Sequence, residues 1–235
     1  MGGQLLSIEN LQAWYTPQKP VLSGLSVSLR EHEVTGLIGI NGAGKTTLLK
    51  TVSGLLESCS ADCVSFEGRR LSFRDPGFKQ CRYTVFDGDD SFGYFTFREY
   101  LAYVCAAYGK KIPDVSDLIR GFHFEAYTDR LLQDLSAGNK KKAFFITAFA
   151  LKPRLLLLDE PVNGLDFAGT EFLYRLIAGY KAYGTVLFSS HILESITLTA
   201  DRVLVLENGQ IRQEFGNGEM DAARIREALH EKTDL

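Results

Sequence analysis

The sequence of this chain, 235 residues long, predicts an α/β fold with a mixed, mostly parallel sheet. From residue 137 onward, stretches with helical spacing alternate with apolar runs, an order typical of parallel strands covered by helices. Residues 5–10 and 25–30 alternate apolar with polar side chains and predict antiparallel strands near the N-terminus. The apolar run at 34–40 leads into a glycine-rich loop, which predicts a strand–loop–helix unit.

The remaining elements follow from the same periodicities. The predicted helices cover residues 46–56, 95–109, 113–122, 137–150, 168–181 and 192–200, and the predicted strands cover 63–68, 154–160 and 185–190. Asn208-Gly209 lies between predicted strands at 202–207 and 210–215 and predicts a hairpin, because this dipeptide suits the tight turn. Residues 221–232 predict a short helix on the surface.

Residues 84–134 differ in character and predict a helical lobe inserted into the α/β body. We find no convincing strand there, and one predicted helix carries an apolar stripe formed by Phe97, Leu101, Val104 and Tyr108. Asp114 is the predicted N-cap of the next helix. The prediction is one domain, in which residues 1–83 and 135–235 form the body and a helix over 136–150 continues the lobe.

The composition is that of an ordinary soluble globular protein, 45% hydrophobic and 23% charged. A net charge of −3, from 26 basic and 29 acidic residues, gives no basic excess, so we expect no nucleic-acid partner. We find no signal peptide, and the longest apolar run, residues 143–151, is too short to span a membrane. The cysteines at 59, 63, 81 and 105 lack the spacing of a zinc site, which favours reduced thiols.

The glycine loop at 39–47, GINGAGKTT, matches the pattern of a phosphate-binding loop. Glycines let the backbone wrap closely around a phosphate and direct its N–H groups inward, and the following helix adds its positive end. We expect Lys45 to reach the terminal phosphates and the Thr46 hydroxyl to bind Mg²⁺. The alternative is a plain glycine-rich turn, but the flanking strand and helix favour the phosphate site.

Two carboxylates, Asp159 and Glu160, follow an apolar run of four leucines. In an open α/β sheet, ligands bind at the carboxyl ends of the strands, so we expect this pair to lie beside the phosphate loop. Asp159 would hold Mg²⁺ through water, and Glu160 would orient or deprotonate the attacking water. Taken alone, the pair could also cap a helix; the phosphate loop in the same chain favours the catalytic interpretation.

Six motifs in register resemble the nucleotide-binding domain of an ABC transporter, over essentially the whole chain. They are Tyr15, GINGAGKTT (39–47), LSAGN (135–139), LLLLDEP (155–161), NGLD (163–166) and His191. In that family these positions match the aromatic that stacks on adenine, the Walker A loop, the signature loop LSGGQ, Walker B with its glutamate, the D-loop and the switch histidine. The resemblance implies a P-loop NTPase fold of the ABC type and an ATPase that powers transport.

The resemblance also implies which residues bind ATP and Mg²⁺. The expected nucleotide-binding residues are Tyr15, Asn41, Gly42, Ala43, Gly44, Lys45, Thr46 and Thr47, with Trp14 as the alternative to Tyr15. The expected catalytic residues are Glu160, His191 and Lys45, and the expected D-loop residue is Asp166. The expected metal ligands are Thr46, Asp159 and Asp87. The signature residues, which would bind the ATP of a partner domain, are Leu135, Ser136, Ala137, Gly138 and Asn139.

In such transporters two ATPase domains face each other head to tail, with each ATP between them. The resemblance therefore implies a homodimer or heterodimer of ATPase subunits, a separate transmembrane permease subunit, and a position on the cytoplasmic face of the cell membrane. One alternative is a soluble ABC-family ATPase that is not tied to transport. An unrelated P-loop kinase or GTPase would leave the signature loop and His191 unexplained.

Several positions depart from the family's pattern. Asp87 aligns with a loop position that is usually glutamine, and its added negative charge near phosphates predicts weaker or retuned hydrolysis. Ser136 and Gly138 remain in the altered signature LSAGN, so we expect a competent ATPase. The lysines at 140–142 oppose the dipole of their helix, and either a neighbouring polyphosphate or a solvated face would explain them. The missing arginine after the signature favours an exporter-type subunit.

Aromatic residues are concentrated in the predicted lobe. Residues 86–134 contain 11 of the chain's 27 aromatic side chains. A small helical lobe has little core to accommodate so many rings, so we expect an exposed aromatic surface for a partner, which in resembling transporters is the membrane subunit. The alternative is that the rings pack within the lobe.

Overall fold

The computed structural model describes residues 3–216 and 221–230, which form two sheets with helices around them. The elements in chain order are β1 Gln4–Thr16, β2 Lys19–Arg30, β3 Val34–Ile38, α1 Lys45–Val52, β4 Cys59–Ser60, β5 Cys63–Phe66, β6 Arg69–Arg70, α2 Pro76–Cys81, β7 Arg82–Val85, α3 Phe97–Ala107, α4 Ser116–Gly121, α5 Ala137–Leu151, β8 Leu155–Leu158, α6 Phe167–Gly179, β9 Thr185–Ser190, α7 Leu193–Thr197, β10 Arg202–Glu207, β11 Gln210–Phe215 and α8 Ala222–His230.

The larger sheet contains the strands that position the site. Its order is β11-β10-β3-β9-β8-β7, and all neighbours are parallel except the β10–β11 hairpin. Asn208 and Gly209 both have positive φ in the hairpin turn, as predicted from the dipeptide. Strands β3 and β8 both neighbour β9, so their carboxyl ends, which lead into the phosphate loop and into Asp159, lie at the same edge.

The second sheet is antiparallel and has the order β2-β1-β5-β6, with β4 paired to β1. Its first two strands are longer than the runs at 5–10 and 25–30 predicted, because Leu11, Ala13 and Leu22 continue the buried face of the hairpin beyond them. The α/β class and the antiparallel N-terminal strands are both confirmed.

Helix α5 lies in the middle of the core. Residues 143–148 are fully or almost fully buried, so this apolar run is a core helix, surrounded by protein on all sides. Within residues 3–216 and 221–230, no helix is both long enough and apolar enough to span a membrane.

Two sequence predictions in and around the lobe were wrong. Strand β7 was missed, and the boundary placed at 83/84 cuts through it; the strand is short and begins with an arginine. Arg82 is nevertheless buried, because its guanidinium donates to the Ser53 carbonyl oxygen at 2.7 Å and lies over the ring of Phe78. Asp114 is not the N-cap of α4, which is Val115; its carboxylate accepts the N–H and hydroxyl of Ser116.

The aromatic residues of 86–134 divide between core and surface. The fully buried rings are Phe97, Phe122 and Phe124, which belong to the same core cluster as the buried side chains of α5. The exposed rings are Phe92, Tyr94 and Tyr103, with relative exposures of 38%, 82% and 53%. The predicted surface therefore exists, but it is formed by fewer rings than the composition indicated.

Candidate functional site

The loop between β3 and α1 has the geometry of a phosphate cradle. Gly44 has φ of +111°, and a Cβ atom there would lie 2.7 Å from Leu22 Cδ2. A Cβ atom on Gly39 would lie 2.4 Å from the Leu206 carbonyl oxygen. Both positions therefore require glycine, and the chain can turn tightly with its N–H groups directed at one ligand. Lys45 is buried, and its Nζ donates to the Gly39 carbonyl oxygen at 2.7 Å.

Thr46, Asp159 and Ser189 form a chain of oxygen atoms beside this loop. The Thr46 hydroxyl lies 2.9 Å and 3.1 Å from the two carboxylate oxygens of Asp159, and Ser189 Oγ donates to Asp159 Oδ1 at 2.7 Å. Burial raises the pKa of Asp159, and the hydrogen bonds from Ser189 and Thr46 only partly offset this effect. Mg²⁺ prefers hard oxygen ligands, and a bound cation would stabilise the ionised carboxylate of Asp159 that burial disfavours. These residues therefore fit that ion.

The carboxylate of Glu160 lies between the side chains of Lys45 and His191. Its carboxylate lies 3.4 Å from Lys45 Nζ and accepts from His191 Nδ1–H at 2.8 Å. Because an ionised carboxylate only accepts, this contact places the proton of the ring on Nδ1. The main chain of Glu160 is in the left-handed region, with φ of +43°, which is uncommon for a residue other than glycine. A carboxylate so constrained can act as a base towards a water molecule.

The signature loop starts helix α5 and lies against the D-loop of the same chain. Ser136 is the N-cap and accepts the N–H of Asn139 at 3.3 Å. A Cβ atom on Gly138 would lie 2.1 Å from the Gly164 carbonyl oxygen, so a glycine is required there for packing as well. Asp166 is the N-cap of α6 and accepts the N–H of Gly169 at 2.6 Å.

The three lysines that follow the signature loop each pair with an aspartate. Lys142 Nζ lies 2.6 Å from Asp166 Oδ2, and Lys140 pairs with Asp90. Lys141 and Lys142 are about 5% exposed, so the interpretation of this stretch as a solvated face was wrong for both. Paired carboxylates compensate the cost of cations in the first turns of a helix, without any phosphate ligand.

Asp87 belongs to this group of ion pairs. Its Oδ1 accepts from Lys141 Nζ at 2.7 Å, and its Oδ2 accepts from Asn163 Nδ2 at 3.1 Å. Partial burial alone would raise the pKa of Asp87, but the hydrogen bonds from Lys141 and Asn163 outweigh it and hold the pKa below its usual value. Both carboxylate oxygens are therefore engaged by protein groups rather than by the Thr46–Asp159 pair.

The structure brings together the predicted residues of Walker A, Walker B and the switch histidine. Tyr15 lies near the end of β1, with 55% of its surface exposed. Asn41 and Gly42 are exposed at the loop tip, while Ala43 and Thr47 are buried beneath it. Among the described residues, no hydrogen bond joins the signature loop to the phosphate loop of the same chain.

Three contributors to the site were missed from the sequence: Ser189, Lys141 and Asn163. Ser189 bridges the Walker B pair, since its Oγ also accepts the N–H of Glu160 at 2.9 Å. Its position two residues before His191, on the strand next to β8, could have indicated this role. Three consecutive lysines against a helix dipole could have indicated buried counter-charges, but which aspartates supply them depends on the fold.

A phosphate loop and a pair of carboxylates at the tip of a second strand, on the same edge of the sheet, define the class of P-loop nucleotide hydrolases. Within that class, the chain belongs to the ABC transporter family, whose family model matches residues 22–163. It is an ATP-binding subunit of an ABC transporter, of the family that hydrolyses ATP to power transport.

The chain is similar to the putative ABC transporter ATP-binding protein AlbC of Bacillus subtilis (strain 168), with 33% identity over 92% of this chain and 93% of that protein. It is 34% identical to the cobalt import ATP-binding protein CbiO of Salmonella typhi, over 89% of this chain and 80% of that protein. A solved ATP-binding subunit of an ABC transporter superposes with a TM-score of 0.83 at 29% identity, over 96% of this chain and 94% of that one.

Proposed function

We propose that Glu160 is the general base of ATP hydrolysis and that His191 holds its carboxylate in place. The observation that carries this proposal is the Glu160 carboxylate held between Lys45 and the Nδ1–H of His191. Phosphate oxygens would compete with Glu160 for the Lys45 ammonium, which frees the carboxylate to accept a proton from water. Thr46 and Asp159 would hold Mg²⁺, which neutralises charge on the phosphates when it is bound.

Replacing the base tests this proposal. Glu160→Gln should lower kcat by about 100-fold or more, because a positioned base contributes at least that factor, while ATP still binds. A variant that hydrolyses ATP at the wild-type rate would contradict the role of Glu160. The binding of a fluorescent ATP analogue to the variant distinguishes a loss of catalysis from a loss of nucleotide binding.

We also propose that the signature loop acts on the ATP of a second ATPase subunit. Ser136 Oγ and the start of α5 supply polar donors at a helix N-terminus, and they make no hydrogen bond with this chain's own phosphate loop within the described residues. If so, the Glu160→Gln variant should bind Mg-ATP without hydrolysing it and should form a dimer. The dimer should dissociate to monomers when the nucleotide is removed. A chain that stays monomeric at high concentration would count against an action in trans.

The membrane partner is proposed to bind the exposed aromatic side of the lobe. A groove of about 350 Å³ lies there between α3 and β7, and Phe92, Tyr103 and Tyr108 contribute to its lining. Exposed aromatic rings around a groove are typical of an interface core. We propose that a separate transmembrane permease occupies it, with this subunit on the cytoplasmic face of the membrane.

A pull-down from detergent-solubilised membranes of the native host tests this interface. We expect a protein with several membrane spans to copurify, and the double variant Phe92→Ala/Tyr103→Ala to lose it while its ATPase activity is retained. Tyr183 is also an exposed tyrosine but does not line this groove, so Tyr183→Ala is the matched control. A soluble partner instead would favour a soluble ABC-family ATPase.

For the direction of transport, we propose export as the first case to test. The lysines that replace the usual arginine after the signature favour it, whereas the relative CbiO is named for cobalt import. ATP-driven accumulation of the cargo inside inverted vesicles that contain the copurified permease would support export. Accumulation only in right-side-out vesicles loaded with ATP would contradict it.

A further inference from the structure

Lys141 is a buried cation with all of its hydrogen-bonding capacity in use. Its Nζ lies 2.7 Å from Asp87 Oδ1, 2.6 Å from the Glu160 carbonyl oxygen and 3.2 Å from the Asn163 carbonyl oxygen. An ammonium group has three hydrogens, and here each has an acceptor. With 5% of its surface exposed, the side chain is fixed by two segments, one that contains Asp87 and one that contains Glu160 and Asn163.

One of these acceptors belongs to the residue proposed as the base. The carbonyl oxygen of Glu160 accepts from Lys141 and also from the Asn163 N–H at 3.2 Å. Glu160 has a left-handed backbone, a conformation that persists only where the surroundings hold it. The bond from Lys141 therefore fixes the main chain from which the catalytic carboxylate extends.

Asp87 supplies the counter-charge that this arrangement needs. A buried ammonium that lacks an opposite charge is strongly destabilising, and the other two acceptors of Lys141 are neutral carbonyl groups. Asn163 contacts both members of this ion pair: its side-chain Nδ2 donates to Asp87 Oδ2, and its main-chain carbonyl oxygen accepts from Lys141. A neutral amide at residue 87 would leave the ammonium uncompensated.

We propose that Lys141 is a positioning residue for ATP hydrolysis, which holds the main chain of Glu160, and that Asp87 is its counter-ion rather than a direct Mg²⁺ ligand. The proposal rests on the proposed role of Glu160 as the base. It also links two functions of one helix: α5 begins with the signature loop and, one turn later, carries the lysine that holds this chain's own Glu160.

The first test removes the charge of Lys141 and retains its unbranched shape and most of its length. Lys141→Met should lower kcat by up to about 100-fold, because small misplacements of a catalytic group have effects of that size, with little change in the dissociation constant for ATP. In the nucleotide-free protein, amide hydrogen exchange over residues 159–166 should become faster. Lys181→Met is the control, since Lys181 pairs with Asp201 at 2.7 Å on the surface, and it should change neither quantity.

Unchanged kcat and unchanged exchange over 159–166 in Lys141→Met would overturn the proposal. If the single variant does not fold, Lys141→Met/Asp87→Asn leaves no uncompensated charge and takes its place with the same expectations. Wild-type kcat in Glu160→Gln would instead overturn the proposed base, so the two failures are distinguishable.

The second test separates a counter-ion from a metal ligand. Asp87→Asn should lower kcat in the wild-type background and add no further loss in the Lys141→Met background, since residues that act as one unit are not additive. The Mg²⁺ concentration for half-maximal rate should not change in either background. An increase in that concentration in both backgrounds would overturn the counter-ion role and support Asp87 as a direct ligand.

Discussion

A single hydroxyl, that of Ser189, organises both carboxylate residues at the tip of β8. It donates to Asp159 at 2.7 Å and accepts the N–H of Glu160 at 2.9 Å, so one oxygen atom sets the spacing of the predicted Mg²⁺ ligand and the proposed base. Because Ser189 is fully buried, water cannot replace this hydroxyl without a rearrangement.

We predict that Ser189→Ala lowers kcat by about tenfold, because the buried N–H of Glu160 loses its acceptor and the proposed base is held less firmly in position. The Mg²⁺ concentration for half-maximal rate should also increase, since Asp159 loses one of its two donors. ATPase assays across a Mg²⁺ titration measure both effects. Ser53→Ala, which removes a hydroxyl that donates to the Lys50 carbonyl oxygen at 2.9 Å, is the matched control. An equal loss in the control would contradict the specific role of Ser189.

Gly138 is constrained by the D-loop of its own chain. A methyl group there would lie 2.1 Å from the Gly164 carbonyl oxygen, so we predict that Gly138→Ala lowers the free energy of unfolding by about 1–3 kcal/mol through overpacking. Ala137→Gly, one residue earlier, should cost about 1 kcal/mol or less. Urea unfolding of both variants measures these free energies. Equal stability of Gly138→Ala and the wild type would contradict the close approach of residue 138 to the Gly164 carbonyl oxygen.

Among the elements, α6 depends on a cap that is also an ion pair. The hydrogen bond from Lys142, together with that from the Gly169 N–H, holds the pKa of Asp166 below its usual value. A carboxyl group with a lowered folded-state pKa stabilises the folded chain above the ordinary carboxyl pKa, and this contribution is lost as pH falls through the lowered pKa.

We therefore predict that Asp166→Asn, which retains a capping oxygen, lowers the free energy of unfolding at pH 7 by about 0.5–1 kcal/mol, a small value because the carboxylate is mostly exposed. The difference should be smaller at about pH 3, below the ordinary carboxyl pKa, because the unfolded chain then binds the proton and part of the advantage of the folded-state carboxylate is lost. Urea unfolding at the two pH values measures it. Asp117→Asn, at an exposed carboxylate on α4, is the control and should have almost no effect. A difference that grows on acidification would contradict the pairing.

The elements also mark the limits of what could be predicted from the sequence. Strands β9, β10 and β11 were predicted with the observed bounds, because apolar runs of strand length and the Asn208-Gly209 turn are local features. Strand β7 was missed because its burial depends on carbonyl groups from distant segments, which accept from Arg82. The Walker motifs could be predicted because each is a short local pattern of residues. The partners of Lys141 lie 54, 19 and 22 residues away, so only the fold shows that they contact it.

For the whole molecule, the sheet order and the start of α5 produce two different phosphate-binding elements on one chain. The carboxyl ends of β3 and β8 lie on either side of β9, which brings together the proposed phosphate, Mg²⁺ and base residues of one chain. The signature loop is held against the D-loop instead, through Gly138 and the Lys142–Asp166 pair. We propose that this loop acts on the ATP bound by a second copy of the chain.

Mixing two inactive variants tests that claim most directly. Ser136→Asp retains an N-cap for α5 but adds a negative charge that opposes phosphate, and Glu160→Gln removes the base. Each variant alone should be inactive. If the loop acts in trans, an equal mixture should recover about one quarter of the wild-type rate, since half of the dimers would be mixed and each would have one intact site. A mixture of folded variants that remains inactive would contradict the arrangement.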